Sequence, residues 1–126
     1  MINDGDIITE LACGAGMNLK TLMKFKPSKV ELVDISLEAL DEAYKSFGDL
    51  IDLELFNHSI TEFAVKNLYK GYKYNKVAFG LCALSYCDKN GVDQILHWAK
   101  TSVKTLILAE VTDVEEGREK FWDSNQ

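Results

Sequence analysis

The chain has 126 residues, a net charge of −6, 47% hydrophobic and 27% charged residues, which suits one domain with a real apolar core and leaves no length for two. Its lysines are scattered (Lys20, Lys24, Lys26, Lys29) rather than clustered, which argues against a phosphate-tracking nucleic-acid face. The polar start "MINDGD" has no signal-peptide pattern, no apolar run reaches the ~20 residues of a bilayer span, and the cysteines show no C-x-x-C spacing; the expectation is a single cytoplasmic domain over residues 1–126 with no membrane contact.

In chain order, Ile7 to Ala12 reads as a short strand. Leu19, Leu22, Met23 and Lys26 then follow helical spacing up to the Lys26-Pro27 stop. Val30 to Val33 is a second strand. Ser36 suits the N-cap of a helix whose stripe is Leu37, Leu40, Tyr44 and Phe47, ending near Gly48. Ile51 to Phe56 alternates as a third strand, and Phe63, Val65 and Leu68 make a weak helical turn before Gly71. Lys76 to Ala83 is a nearly continuous apolar run, as a doubly buried strand requires. Val92, Ile95, Leu96 and Ala99 predict a helix, Thr105 to Val111 a fifth strand, and Val114, Arg118, Phe121 and Trp122 a last amphipathic helix. Short strands alternating with helices predict an α/β fold: a Rossmann-like parallel sheet covered by helices on both faces.

The chemistry concentrates at the ends of the first two strands. Glu10 closes an apolar run that breaks into Gly14-Ala15-Gly16, and about twenty residues on Asp34 closes the next run. Two glycines let backbone approach a ligand or adopt positive φ, although a tight turn without a ligand uses them equally well. An acid at Asp34 is placed to accept hydrogen bonds from both hydroxyls of a ribose. A dinucleotide would want a third glycine, where this chain has Leu19, and its pyrophosphate would be repelled by Glu10. A carboxylate ahead of the glycines suits a cofactor with a cationic end, which favours S-adenosylmethionine over NAD.

These residues carry a resemblance. "ELACGAG" (10–16) resembles motif I of the class I S-adenosylmethionine-dependent methyltransferases, D/E-x-x-x-G-x-G, and "VELVDIS" (30–36) resembles their second motif. "NHSITEF" (57–63) and "YNKVAFGLCALSYCD" (74–88) are similar to the segments after the third strand and around the fourth. The resemblance implies the strand order 3-2-1-4-5, with S-adenosylmethionine as cofactor and an unidentified methyl acceptor, protein or small molecule. It implies that Glu10, Gly14 and Gly16 face the methionine part, Asp34 holds the ribose, and Ile35, Ser59 and Ile60 border the adenine. Leu81 would line the floor. Within the superfamily the cadence is nearest the protein α-N-terminal methyltransferases. The chain departs from them at Asn18 and Leu19, where they carry a glycine and a carboxylate-binding arginine, and at Asn75, Leu81 and Ser85.

The catalytic residue is unknown on sequence grounds. His58 faces the expected crevice as a possible adenine contact or base, and Tyr86 lies where an acceptor-orienting residue is often found. The spacing of Cys13, Cys82, Cys87, His58 and His97 matches no metal pattern. Compared with the family, the chain lacks the two strands that usually follow the fifth. An apolar edge at Thr105 to Val111 is therefore expected to meet a second copy or a partner chain, or to belong to a longer polypeptide. Departures at Leu19, Asn75 and Ser85 keep open the alternative of a non-catalytic methyltransferase-like subunit.

Overall fold

Nine regular elements follow from this alternation in the computed structural model, which describes residues 2–70 and 74–109. They are β1 (Ile7–Leu11), α1 (Leu19–Leu22), β2 (Lys29–Asp34), α2 (Leu37–Phe47), β3 (Leu53–Asn57), α3 (Ile60–Lys66), β4 (Lys76–Leu81), α4 (Lys89–Ser102) and β5 (Thr105–Ala109). The strands form one parallel sheet in the order β3-β2-β1-β4-β5, as expected. The final helix over Val114–Trp122 and the end of the fifth strand at 110–111 lie outside the described residues.

Side-chain alternation along the strands sorts the core into two layers. Ile8, Val30 and Leu32 pack under α1 and α2 with Leu19, Leu22, Leu40 and Ala43. Leu11, Val33 and Ala78 pack under α3 and α4 with Phe63, Ile95 and Trp98. Phe63 is the hinge of the second layer: it meets Phe56 and Trp98 edge-on, with ring centroids 5.0 and 5.3 Å away, the geometry ring quadrupoles favour. The chain runs outward from β1 to β3, then crosses back to β4. Right-handed crossovers therefore put α1 and α2 on one face and α3 and α4 on the other. The reversal falls between β1 and β4, and their carboxyl ends splay loops in opposite directions to leave a crevice.

Several elements differ from the sequence reading. The first helix spans four residues before tightening into a 3₁₀ turn, Met23–Phe25, and ending at Lys26 with φ +51°. In α2 the buried residues are Leu40 and Ala43, while Leu37 and Tyr44 are exposed. In α4 the buried stripe is Gly91, Ile95, Trp98, Ala99 and Ser102, with Leu96 exposed; equal hydrophobicity at 95 and 96 hid the true phase. The fourth strand stops at Leu81 because Cys82 turns to φ +57°. No helix is long and apolar enough to cross a membrane among the described residues. No described strand pairs with the outer edge of β5, and a cavity of about 290 Å³ lies over β1, β4 and β5 on the α1 side, lined by Ile8, Phe25, Val77, Phe79 and Ile107 among others.

Towards the amino ends of the strands lies a buried ionic cluster. Glu31 Oε1 accepts hydrogen bonds from Thr9 Oγ1 at 2.7 Å and Lys76 Nζ at 2.8 Å, and all three residues are buried. Lys29 sits 3.9 Å from the other Glu31 oxygen and 2.7 Å from Glu54. Three adjacent strands are thereby tied in one register. Removing one partner of such a pair strands the other charge in low dielectric. Glu31→Leu is expected to destabilise the fold by about 3 kcal/mol in urea denaturation, and the double variant Glu31→Leu/Lys76→Met should recover most of that loss. Additive losses would show that the pair is not coupled.

Candidate functional site

The crevice is built by chain leaving β1. Ala12 turns to φ +57°, Gly14 to +58° and Gly16 to +85°, so three residues within five occupy the left-handed region, which costs a non-glycine residue about 1 kcal/mol or more. Cys13 N–H nevertheless donates to Val33 O at 3.1 Å, which carries the β1–β2 pairing one residue into the turn. The two glycines have different reasons. A Cβ on Gly16 would lie 2.8 Å from Leu19 Cδ1 and 3.1 Å from Ala43 Cβ, so this position seats α1 and α2 against the sheet. A Cβ on Gly14 would meet nothing within 4 Å. It would project into open space at the mouth of the crevice, where a ligand has room to approach the backbone.

Asp34, at the tip of β2, clasps this turn. Its Oδ2 accepts from Gly14 N–H and its Oδ1 from Ser36 N–H, both at 2.8 Å. Ser36 Oγ caps α2 by accepting from Ala39 N–H, so Asp34 has no capping duty. A carboxylate has roughly four acceptor positions, so these two bonds leave capacity towards solvent. Asn57, in register with Asp34 on β3, donates through Nδ2 to the carbonyls of Asp34 and Ile35 at 3.2 and 3.0 Å. It fixes the loop that presents Ile35, which is 78% exposed beside the crevice.

Glu10 is the anomaly. It points to the α1 side of β1 and is 1% exposed. Oε1 accepts from Asn18 Nδ2 at 3.2 Å; Oε2 is buried with no hydrogen-bond partner among the described residues. Burial, opposed by the Asn18 bond and reinforced by the nearby Asp34 charge, pushes its carboxyl up to about 7. Burial, and then the charges of Glu10 and Asp34, push the neighbouring Cys13 thiol up to about 12, so Cys13 is no nucleophile. A half-satisfied buried carboxylate is costly unless something of opposite charge completes it.

The remaining predicted residues spread around the rim and the core. Leu81 ends β4 and is 38% exposed. Ser59 caps α3 by accepting from Glu62 N–H at 3.1 Å. Ile60 is buried with Phe63 and Trp98 in the layer under α3 and α4, so its side chain serves the core. His58 pairs with Glu62 at 2.8 Å along α3. Tyr86 belongs to a second 3₁₀ turn, Ala83–Tyr86, and its side chain falls outside the described set. No group of three or more metal-ligating side chains occurs among the described residues. Sequence reasoning missed Asn18 and Asn57. The signal available for Asn57 was a polar residue closing the strand next to Asp34; for Asn18 it was an amide opening a helix.

No protein-family model matches the chain, and no curated protein matches it in sequence. Solved structures do match in shape. A candidate RNA methyltransferase from Pyrococcus horikoshii superposes with a TM-score of 0.65 at 18% identity, over 96% of this chain and 59% of its own. An S-adenosylmethionine-dependent methyltransferase from Clostridium acetobutylicum gives 0.64 at 23% identity, over 82% of this chain and 42% of its own. Phosphoethanolamine N-methyltransferase 1 from Haemonchus contortus, in complex with phosphoethanolamine and S-adenosylhomocysteine, gives 0.67 at 12% identity, over 82% of this chain and 21% of its own. The chain thus spans from about a fifth to three-fifths of the length of these three structures. It has the fold of the class I S-adenosylmethionine-dependent methyltransferases.

Proposed function

We propose that the chain binds S-adenosylmethionine in the crevice at the ends of β1, β2 and β4 and carries out methyl transfer. The observation that carries this reading is Glu10 Oε2, a buried and unpartnered anion beside a glycine whose Cβ direction is open. Such a site wants a cationic group delivered along the backbone of the turn. The cofactor has an ammonium and a sulfonium, and the enzyme from Haemonchus contortus with this fold holds its demethylated form. A dinucleotide fits less well. Its pyrophosphate would face Glu10, and the four-residue α1 supplies little helix dipole to offset that repulsion.

When bound, the cofactor supplies an activated methyl group on sulfur. The chain's own part is placement. Glu10 Oε2 would accept from the ammonium, Gly14 would leave the path clear, and Asp34 would take the ribose hydroxyls on the acceptor positions it has not used on Gly14 and Ser36. Ile35 would offer an apolar face to the base and Leu81 would close the floor. Proximity and alignment suffice to drive such a transfer when the donor is already activated, so a dedicated acid–base pair is not needed. The acceptor enters from the rim formed by the loops after β1 and β4, and its class is left to turnover assays on protein and small-molecule pools.

Asp34→Ala removes acceptors whose hydrogen bonds are worth about 1.5–3 kcal/mol each to a charged group. Calorimetry with S-adenosylhomocysteine should show at least about tenfold weaker binding. Because Asp34 also clasps Gly14, circular dichroism should accompany the titration; unchanged affinity in a folded variant takes Asp34 out of the site.

Glu10→Gln separates function from stability. The folded carboxyl lies near 7 against an ordinary 4.5, so its protonation favours the fold below pH 4.5 and that contribution is lost as pH rises through 7. At pH 8 the wild type carries the full cost of a buried charge, of the order of 3 kcal/mol. The variant should therefore melt higher than the wild type at pH 8, equally at pH 4, and lose S-adenosylhomocysteine. A variant that melts lower at pH 8 would contradict the burial argument.

A further inference from the structure

We propose that Asn18 is a positioning residue for the cofactor, holding the Glu10 carboxylate so that one oxygen is satisfied and the other faces the ligand. The inference rests on the methyltransferase reading and deepens it.

Asn18 occupies the N-cap position of α1, where an asparagine side chain ordinarily accepts from the backbone N–H two or three residues on. Here it makes no such bond. Its backbone is itself helical, with φ −92° and ψ −8°, and its carbonyl accepts from Leu22 N–H at 2.9 Å. The side chain is thereby released from capping, and its amide reaches back across the glycine turn to Glu10 Oε1 at 3.2 Å. A short helix has given up a side-chain cap, and among the described residues the amide's hydrogen bond goes instead to a buried carboxylate.

Among the described residues no other side chain is recorded in this task. The residues in register with Glu10 are Leu32 on β2 and Phe79 on β4, neither of which titrates or donates from its side chain. Of the neighbouring titratable groups, Asp34 opposes the Glu10 charge, while Cys13, its own thiol pushed up to about 12 partly by Glu10, stays neutral. Among the described residues it is the Asn18 hydrogen bond that favours the ionised form. Without it, both carboxylate oxygens would be unsatisfied, the carboxyl would hold its proton to higher pH, and it would be free to rotate away from the crevice. A neutral amide suits the role better than lysine or arginine. It steadies the carboxylate without neutralising it, so the negative charge stays available to the incoming ammonium.

The sign of the pH dependence follows. Cation binding requires ionised Glu10, so affinity is full above the midpoint of the free protein near 7 and falls as pH drops through it. Removing the Asn18 amide raises that midpoint and moves the loss of affinity to higher pH.

The test uses the full chain with ¹³C-labelled glutamate and compares wild type, Asn18→Ala and Asn18→Gln. The Glu10 carboxyl is titrated by NMR without ligand, and S-adenosylhomocysteine affinity is then measured from pH 6 to pH 9. Asn18→Ala should raise the Glu10 midpoint by about one unit and weaken binding about fivefold at pH 7, with the difference narrowing at pH 9. Asn18→Gln should recover part of both effects, because it keeps the amide on a longer stem. An unchanged Glu10 midpoint in Asn18→Ala overturns the proposal, as does an affinity loss of equal size at every pH. If the wild type binds no S-adenosylhomocysteine at all, the methyltransferase reading fails, and the proposal for Asn18 falls with it; the ligand-free titration then still records whether the amide tunes Glu10.

Discussion

A carboxylate kept dry at the end of the central strand is the constraint on which the site depends. Glu10 is buried because β1 is the middle strand of five and α1 closes over its α1-facing side. Sheet topology would bury any residue there, and an apolar one would cost nothing. The chain instead holds an acid with one oxygen unpartnered among the described residues, which weakens the free fold and, on the proposed reading, would be completed by a cation. Stability given up at one point and recovered on binding is the usual mark of a ligand site.

The rest of the molecule offsets that strain by being over-determined elsewhere. Glu31, Lys76 and Thr9 fix the strand register on the amino side of Glu10. Phe63, Phe56 and Trp98 lock the opposite layer. At the carboxyl ends, by contrast, Ala12 and Cys82 leave β1 and β4 in left-handed conformations, both at the point where the strand order reverses. Cys82 N–H is secured by Ala109 O at 2.7 Å, as Cys13 N–H is by Val33 O. Each departing loop is thus anchored to the neighbouring strand on its own side, which holds the mouth open between them.

How much of this was legible in the sequence varied with the physics involved. The alternation of strands and helices and the parallel sheet followed from hydrophobic period and crossover handedness, because those depend on many residues at once, whereas the strand order came only with the family resemblance. Helix phase was less legible. Leu37 and Leu96 look like core by composition, yet Ala43 and Trp98 take the buried positions; which flank of a stripe faces the sheet is a matter of packing angle. Of the site, Glu10, Gly14 and Asp34 stood out because a glycine turn and two acids at the ends of neighbouring strands fit a ribose-bearing cofactor with a cationic end as a set, although each residue alone has a structural use. The contrast between Gly14 and Gly16 was invisible, since it depends on Leu19 and Ala43 being nearby in space. Ile60 looked like rim from its place after β3, but the start of α3 turns it inward. Asn18 was read only as a departure from the family's glycine, and Asn57 was given no role, because what each does lies in where its amide points.

The central claim is that this crevice selects a nucleoside cofactor whose amino-acid end carries an ammonium over an anionic dinucleotide. Competing equilibrium titrations of the intact chain at pH 8, with S-adenosylhomocysteine in one arm and NAD in the other, test it most directly. Saturable one-to-one binding of S-adenosylhomocysteine, with at least about a hundredfold preference over NAD, a difference of roughly 3 kcal/mol, is the result this account predicts. Equal affinity for the two, or saturable binding of NAD alone, would contradict it.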